Sequence, residues 1–113
     1  MTTHFIDNHR VPGASGECID VLDPSDGQVF TQIARGNAAD IQRAVAAARR
    51  AADGGAWSRL APVERGRLLR KLGDAIAAHH DELALLEQRD CGKPVKQARA
   101  DATACARYFG FYS

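Results

Sequence analysis

A chain of 113 residues with 45% apolar and 26% charged side chains has the composition of a globular domain and is too apolar for an intrinsically disordered segment. Fifteen basic against fourteen acidic side chains leave a net charge of +1, which argues against the basic footprint of a nucleic-acid binder. No apolar run is long enough to span a bilayer and the first residues lack a basic-then-apolar leader pattern, so the expectation is a cytoplasmic protein that uses neither membrane nor nucleic acid.

In chain order, Phe5-Ile6-Asp7 and Arg10-Val11 flank Asn8-His9, which reads as the tight turn of a first hairpin. Cys18 to Leu22 and Val29 to Ile33 are β-rich runs on either side of Asp23-Pro24-Ser25-Asp26-Gly27, a run of turn-forming residues. A second hairpin is expected there. After Gly36 the period lengthens: Asn37 lies three residues before Asp40 and can cap a helix carrying Ile41, Ala44, Val45 and Ala48 on one face, ended by Gly54-Gly55.

Pro62 suits the first turn of a second helix with an apolar stripe of Leu68, Leu69, Leu72 and Ile76 and a basic solvated face. A third helix follows His79-His80, burying Leu83 and Leu86 and stopping at Gly92. From Pro94, Val95, Ala98, Ala102, Cys105, Phe109 and Tyr112 recur at helical steps and predict one seam along a fourth helix, with Cys105 in the core. That helix is still in progress at Ser113, the reading expected of a longer chain cut short. Trp57 is expected to anchor the loop between the first two helices.

The stretch Arg89-Asp90-Cys91-Gly92-Lys93-Pro94-Val95 admits two readings. A thiol beside a cation is a candidate nucleophile, but a nucleophile also needs a base and an oxyanion site, and His79 and His80 lie a helix away. The competing reading is punctuation: Gly92 ends one helix in the left-handed conformation and Pro94 opens the next. The three cysteines form no C-x-x-C pair and His4, His9, His79 and His80 lack metal-ligand spacing, so neither a disulfide framework nor a zinc site is expected. Lys93 reads as an exposed cation beside the negative end of the preceding helix.

Four blocks in order carry a resemblance: D-P-x-x-G at Asp23 to Gly27, the alanine-rich helix around Ala44 to Ala48, W-S-x-L-x-P-x-E-R at Trp57 to Arg65, and L-x-x-x-D-x-G-K-P at Leu86 to Pro94. Together they resemble the opening portion of the NAD(P)-dependent aldehyde dehydrogenase superfamily. The resemblance implies an α/β fold in which residues 1–113 form the first part of a Rossmann-like cofactor-binding domain, with hairpins over 1–35 and helices over 37–113.

It further implies that the catalytic and cofactor-binding residues lie outside this chain, so none is assigned here and Cys91 is a turn residue. The whole protein would oxidise a small-molecule aldehyde to a carboxylic acid with NAD or NADP. A cysteine thiolate adds to the aldehyde, hydride leaves for the nicotinamide, and water hydrolyses the resulting thioester. A homodimer or homotetramer is implied as well. So is a monovalent cation, potassium or sodium, held by the carbonyls of Val21 and Leu22 and the carboxylate of Asp90, oxygen donors that suit a hard cation. The alternative for Asp90 is a loop cap or a pair with Lys93. The alternative for the whole chain is a short, non-catalytic interaction module that pairs with a full-length relative.

Overall fold

A computed structural model describes residues 2–113. Four strands, β1 (Thr3–Ile6), β2 (His9–Pro12), β3 (Cys18–Leu22) and β4 (Val29–Ala34), precede five helices, α1 (Ala38–Gly54), α2 (Ala56–Arg59), α3 (Pro62–Ala78), α4 (His80–Cys91) and α5 (Val95–Phe111). The expected two hairpins and four helices are present. The addition is α2, a single turn that contains Trp57 where a loop was expected. The chain divides into two compact units: one holds both strand pairs, α1 and α2, and the other holds the turn 23–28 with residues 60–113.

In the first unit β1 pairs antiparallel with β2 in the register Ile6↔His9. The loop is therefore Asp7-Asn8, one residue earlier than expected, and His9 belongs to the strand. Asp7 and Asn8 have φ of 55° and 62°, the left-handed pair that a two-residue hairpin requires, and short polar side chains tolerate that region better than most. β3 pairs antiparallel with β4, and its register passes from Val21↔Thr31 to Leu22↔Val29, so one extra residue sits on β4 as a bulge.

Helix α1 begins as expected, with the Asn37 side chain accepting from the Ala39 and Asp40 amides and Asp40 accepting from the Asn37 amide. Its packed face differs from the expected stripe. Ile41 and Val45 are exposed, whereas Asp40 is buried and Ala44 and Ala47 are half-buried. A helix rotates to satisfy its most costly group, and a buried carboxylate outweighs partly exposed aliphatic carbons.

In the second unit α5 packs against both α3 and α4. The interior is small: Ala84, Ala98 and Ala102 are the buried apolar side chains among the described residues. Leu83 and Leu86 are exposed instead of buried. The α4 seam runs through His80, Ala84 and Glu87, the α5 seam through Ala98, Ala102, Ala106 and Phe109, and Cys105 lies outside it, exposed. Glycine and alanine allow the backbones to approach closely: a Cβ on Gly73 would stand 2.9 Å from the Ala106 carbonyl oxygen. Close approach selects the side of each helix with the smallest residues, and the leucines consequently point elsewhere.

Candidate functional site

Two of the four sequence blocks, Asp23 to Gly27 and Leu86 to Pro94, meet within the second unit. Asp23 opens the hairpin turn with its Oδ1 accepting from the Ser25 amide at 3.0 Å and the Ser25 hydroxyl at 2.6 Å. Its Oδ2 accepts from Arg89 Nε at 3.3 Å. Those Ser25 bonds, aided by Arg89, hold the Asp23 carboxyl below the usual range against the opposing effect of burial. The same turn rests on Gly92, where a Cβ would stand 3.0 Å from Pro24 Cγ and where φ is 69°. Gly92 is thus required twice, by its left-handed conformation and by the space that Pro24 fills.

Cys91 is the last residue of α4 and its thiol donates to the Glu87 carbonyl at 3.0 Å. That bond turns Sγ back along the helix. No imidazole is paired with it: His79 Nδ1 lies 3.0 Å from Glu82 Oε2 and His80 Nε2 lies 2.9 Å from the Arg99 carbonyl. The geometry is that of a helix-terminal side chain.

Val21 and Leu22 lie in β3, at the point where the register shifts, and belong to the first unit, whereas Asp90 lies in the last turn of α4 in the second. Asp90 is exposed. It does not pair with Lys93, whose ammonium is bracketed by the Glu87 carboxylate and by Asp101 Oδ2, the latter at 2.6 Å. Lys93 is therefore a partly buried link between α4 and α5 and not the free surface cation expected. The Asp101 carboxylate first, and Glu87 second, hold the ammonium in its charged form with a raised pKa. Lys93 in turn lowers Asp101. Among the described residues no three of His, Cys, Asp and Glu converge as a metal site.

Sequence reading missed the densest polar cluster, which is built around Asp40 in the first unit. The Ala14 amide donates to Oδ1 at 3.1 Å and Oδ2 at 3.2 Å, the Asn37 amide to Oδ2 at 3.1 Å, and Arg43 Nη2 to Oδ1 at 2.5 Å. The pKa of Asp40 is lowered by the Asn37 amide most, then by Arg43, with burial opposing and Ala14 adding to the effect. The legible signal was the capping position of Asp40. Its bond to Ala14, 26 residues away, has no local sequence pattern.

Both sheets are two-stranded and antiparallel. A dinucleotide cradle needs a parallel strand leading through a glycine-rich turn into a helix, and the described residues form no such strand–turn–helix unit.

Residues 11–113 match the aldehyde dehydrogenase family. The chain is 42% identical over 113 residues to aldehyde dehydrogenase family 2 member B4, mitochondrial, of Arabidopsis thaliana, covering 99% of this chain and 21% of that protein. It is 40% identical over 110 residues to benzaldehyde dehydrogenase, mitochondrial, of Antirrhinum majus, covering 96% of this chain and 21% of the relative. Among solved structures, the NAD-dependent aldehyde dehydrogenase of Sinorhizobium meliloti superposes with a TM-score of 0.92 at 40% identity, covering 97% of this chain and 22% of that one. The chain spans about a fifth of the length of the relatives it matches.

Proposed function

This chain belongs to the aldehyde dehydrogenase family, and we propose that it is the N-terminal scaffold of an enzyme that oxidises an aldehyde to a carboxylic acid with NAD or NADP. The observation that carries the reading is the match of residues 11–113 to the family. In this reading the segment supplies no reacting group. It braces the cofactor domain through the docked turn at Asp23 and the α3–α5 contact. In this reading the whole protein is a cytoplasmic homodimer or homotetramer. No helix among the described residues is long and apolar enough to cross a membrane.

The test compares two purified proteins. A full-length polypeptide that carries this segment is expected to form reduced nicotinamide from an aldehyde, while the 113-residue chain alone is expected to form none. Turnover by the short chain would move the chemistry onto residues described above as scaffold. Failure of the full-length protein with any aldehyde would remove the enzymatic reading.

A second reading, a short module that pairs with a full-length relative, draws on the exposure of Tyr108, Phe111 and Tyr112 at the end of α5. Aromatic side chains with an apolar body and a polar edge are enriched at protein interfaces. The reading frame beyond codon 113 separates the two: continuation supports the enzyme, a stop the module.

The monovalent cation remains part of the proposal on the family resemblance, with Val21 and Leu22 carbonyls and the Asp90 carboxylate as donors. A ligand that binds only the folded state raises its stability with concentration. Potassium or sodium is therefore expected to raise the thermal midpoint of the full-length protein beyond the effect of a bulky organic cation at equal ionic strength. Asp90→Asn keeps one oxygen but loses the charge and is expected to abolish that excess. Identical responses of wild type and variant to both kinds of cation would eliminate Asp90 as a ligand.

A further inference from the structure

Asp40 joins the start of α1 to a loop 26 residues earlier in the chain. It receives the Ala14 amide from the loop after β2, the Asn37 amide at the start of α1, and the Arg43 guanidinium one turn further on. Arg43 Nη2 also donates to the carbonyl of Pro12, the last residue of β2, at 3.4 Å, so the same guanidinium reaches the strand that leads into the loop. On β1, His4 Nε2 stands 3.7 Å from Asp40 Oδ2 and is buried without a hydrogen-bond partner. Gly13 and Gly36 border the same imidazole, each leaving only 3.4 Å between a hypothetical Cβ and a ring atom.

We propose that Asp40 is an acid-released clasp: protonating its carboxylate frees the Gly13–Glu17 loop from the start of α1 while the rest of the fold stays closed. A carboxylate accepts all these donors at once, but the neutral acid carries a proton on one oxygen and must present a donor where an amide or guanidinium already donates. The conflict falls first on Ala14, whose amide is shared between both oxygens. The Asn37 amide is less exposed to the change because the helix it caps is held by its own backbone bonds and by the Asn37 side chain.

The direction with pH follows from the lowered pKa of Asp40. The clasp contributes fully above the ordinary aspartate value of about 3.9 and is lost as pH falls through the lowered value. The charged and titratable groups facing it are His4 from β1 and Arg43 from α1. The neighbouring Arg35 and Glu17 are directed at each other, 3.9 Å apart, and the loop itself contributes backbone amides.

Hydrogen exchange of single amides in a full-length polypeptide carrying this segment tests the clasp. After correction for intrinsic exchange, protection of the Ala14 amide is expected to fall by up to about tenfold per pH unit below the ordinary carboxylate range. The Gly92 amide, bonded to the Gln88 carbonyl in the other unit at 2.8 Å, is expected to keep its protection over the same range. Arg43→Gln removes one donor to the carboxylate and is expected to move the Ala14 transition to higher pH; Asp40→Asn is expected to lose Ala14 protection at neutral pH and to show no acid transition there. Simultaneous loss at Ala14 and Gly92 would mean global acid unfolding and would overturn the proposal. An acid transition at Ala14 that persists unchanged in Asp40→Asn, or fails to move in Arg43→Gln, would overturn it as well.

Discussion

Replacing Gly73 with leucine is expected to disrupt the packing of α3 against α5 and to give the largest stability loss of any single substitution in the second unit. A Cβ at this position would stand 2.9 Å from the Ala106 carbonyl oxygen, 3.3 Å from Phe109 Cβ and 3.5 Å from the Gly110 amide nitrogen. Two of those three atoms are backbone, so the side chain cannot be accommodated by a rotamer change; the helices must separate. Overpacking of a well-filled core costs roughly 1–3 kcal/mol, and four added carbons at a backbone contact should exceed that range. Gly73→Ala is the graded comparison. Its helix-propensity gain of about 1 kcal/mol opposes a clash of similar size, leaving a small net loss. Gly54→Ala, where a Cβ meets nothing within 4 Å, is expected to be neutral or slightly stabilising. Denaturant midpoints for the three variants check the order. A Gly73→Leu protein as stable as wild type would show that α3 and α5 do not approach as described.

Asp40→Ala should be the corresponding loss in the first unit. The substitution strands the Ala14 amide and the Asn37 amide together and removes the partner of Arg43. Each bond to the carboxylate is charge-assisted, and hydrogen bonds to charged groups contribute about 1.5–3 kcal/mol, more than neutral ones. Arg43, half exposed, can turn to solvent, whereas the two amides are fixed in the backbone and lose the acceptor that the buried Asp40 provides. Asp53→Ala, an exposed carboxylate on the same helix, provides the control. Thermal midpoints of the two variants at neutral pH make the comparison, and equal shifts would show that Asp40 is not the structural centre of the unit. Below the folded pKa of Asp40 the Asp40→Ala protein and wild type should converge, since acid removes from wild type the same charged contacts that alanine removes at neutral pH.

Local chemistry was legible in the sequence wherever it is carried by neighbours along the chain. Asn37 announced a helix cap, to which the structure adds the reciprocal bond of Asp40, Pro62 opened a helix, and Gly92 closed one in the left-handed conformation. The first hairpin was legible as an element but not in register: its turn falls on Asp7-Asn8 because these two residues accept positive φ, whereas Asn8-His9 would have placed a histidine there. The family itself was legible from four blocks in order, three of which are turns or helix ends whose residues are constrained by backbone geometry and one of which is the interior of α1.

What the sequence by itself determined about this protein is therefore the order of its elements, their caps and turns, and the family to which they belong, because those follow from φ preferences and from hydrogen bonds a few residues long. Only the tertiary structure decided which face of α1 and α4 is covered. Ala98 and Ala102 of the expected α5 seam are buried, but Leu83 and Leu86 of α4 gave way to Ala84 and α3 buries Gly73 with Leu69 and Ile76 only half-covered, since helices in close contact meet on their smallest residues. Tertiary structure also decided the partners of the charges. Lys93 found Glu87 and Asp101 across two helices, and Asp40 found Ala14 from another loop. An ion pair or a buried carboxylate is settled by which distant donor the fold delivers to it, and hydrophobic periodicity carries no record of that distance.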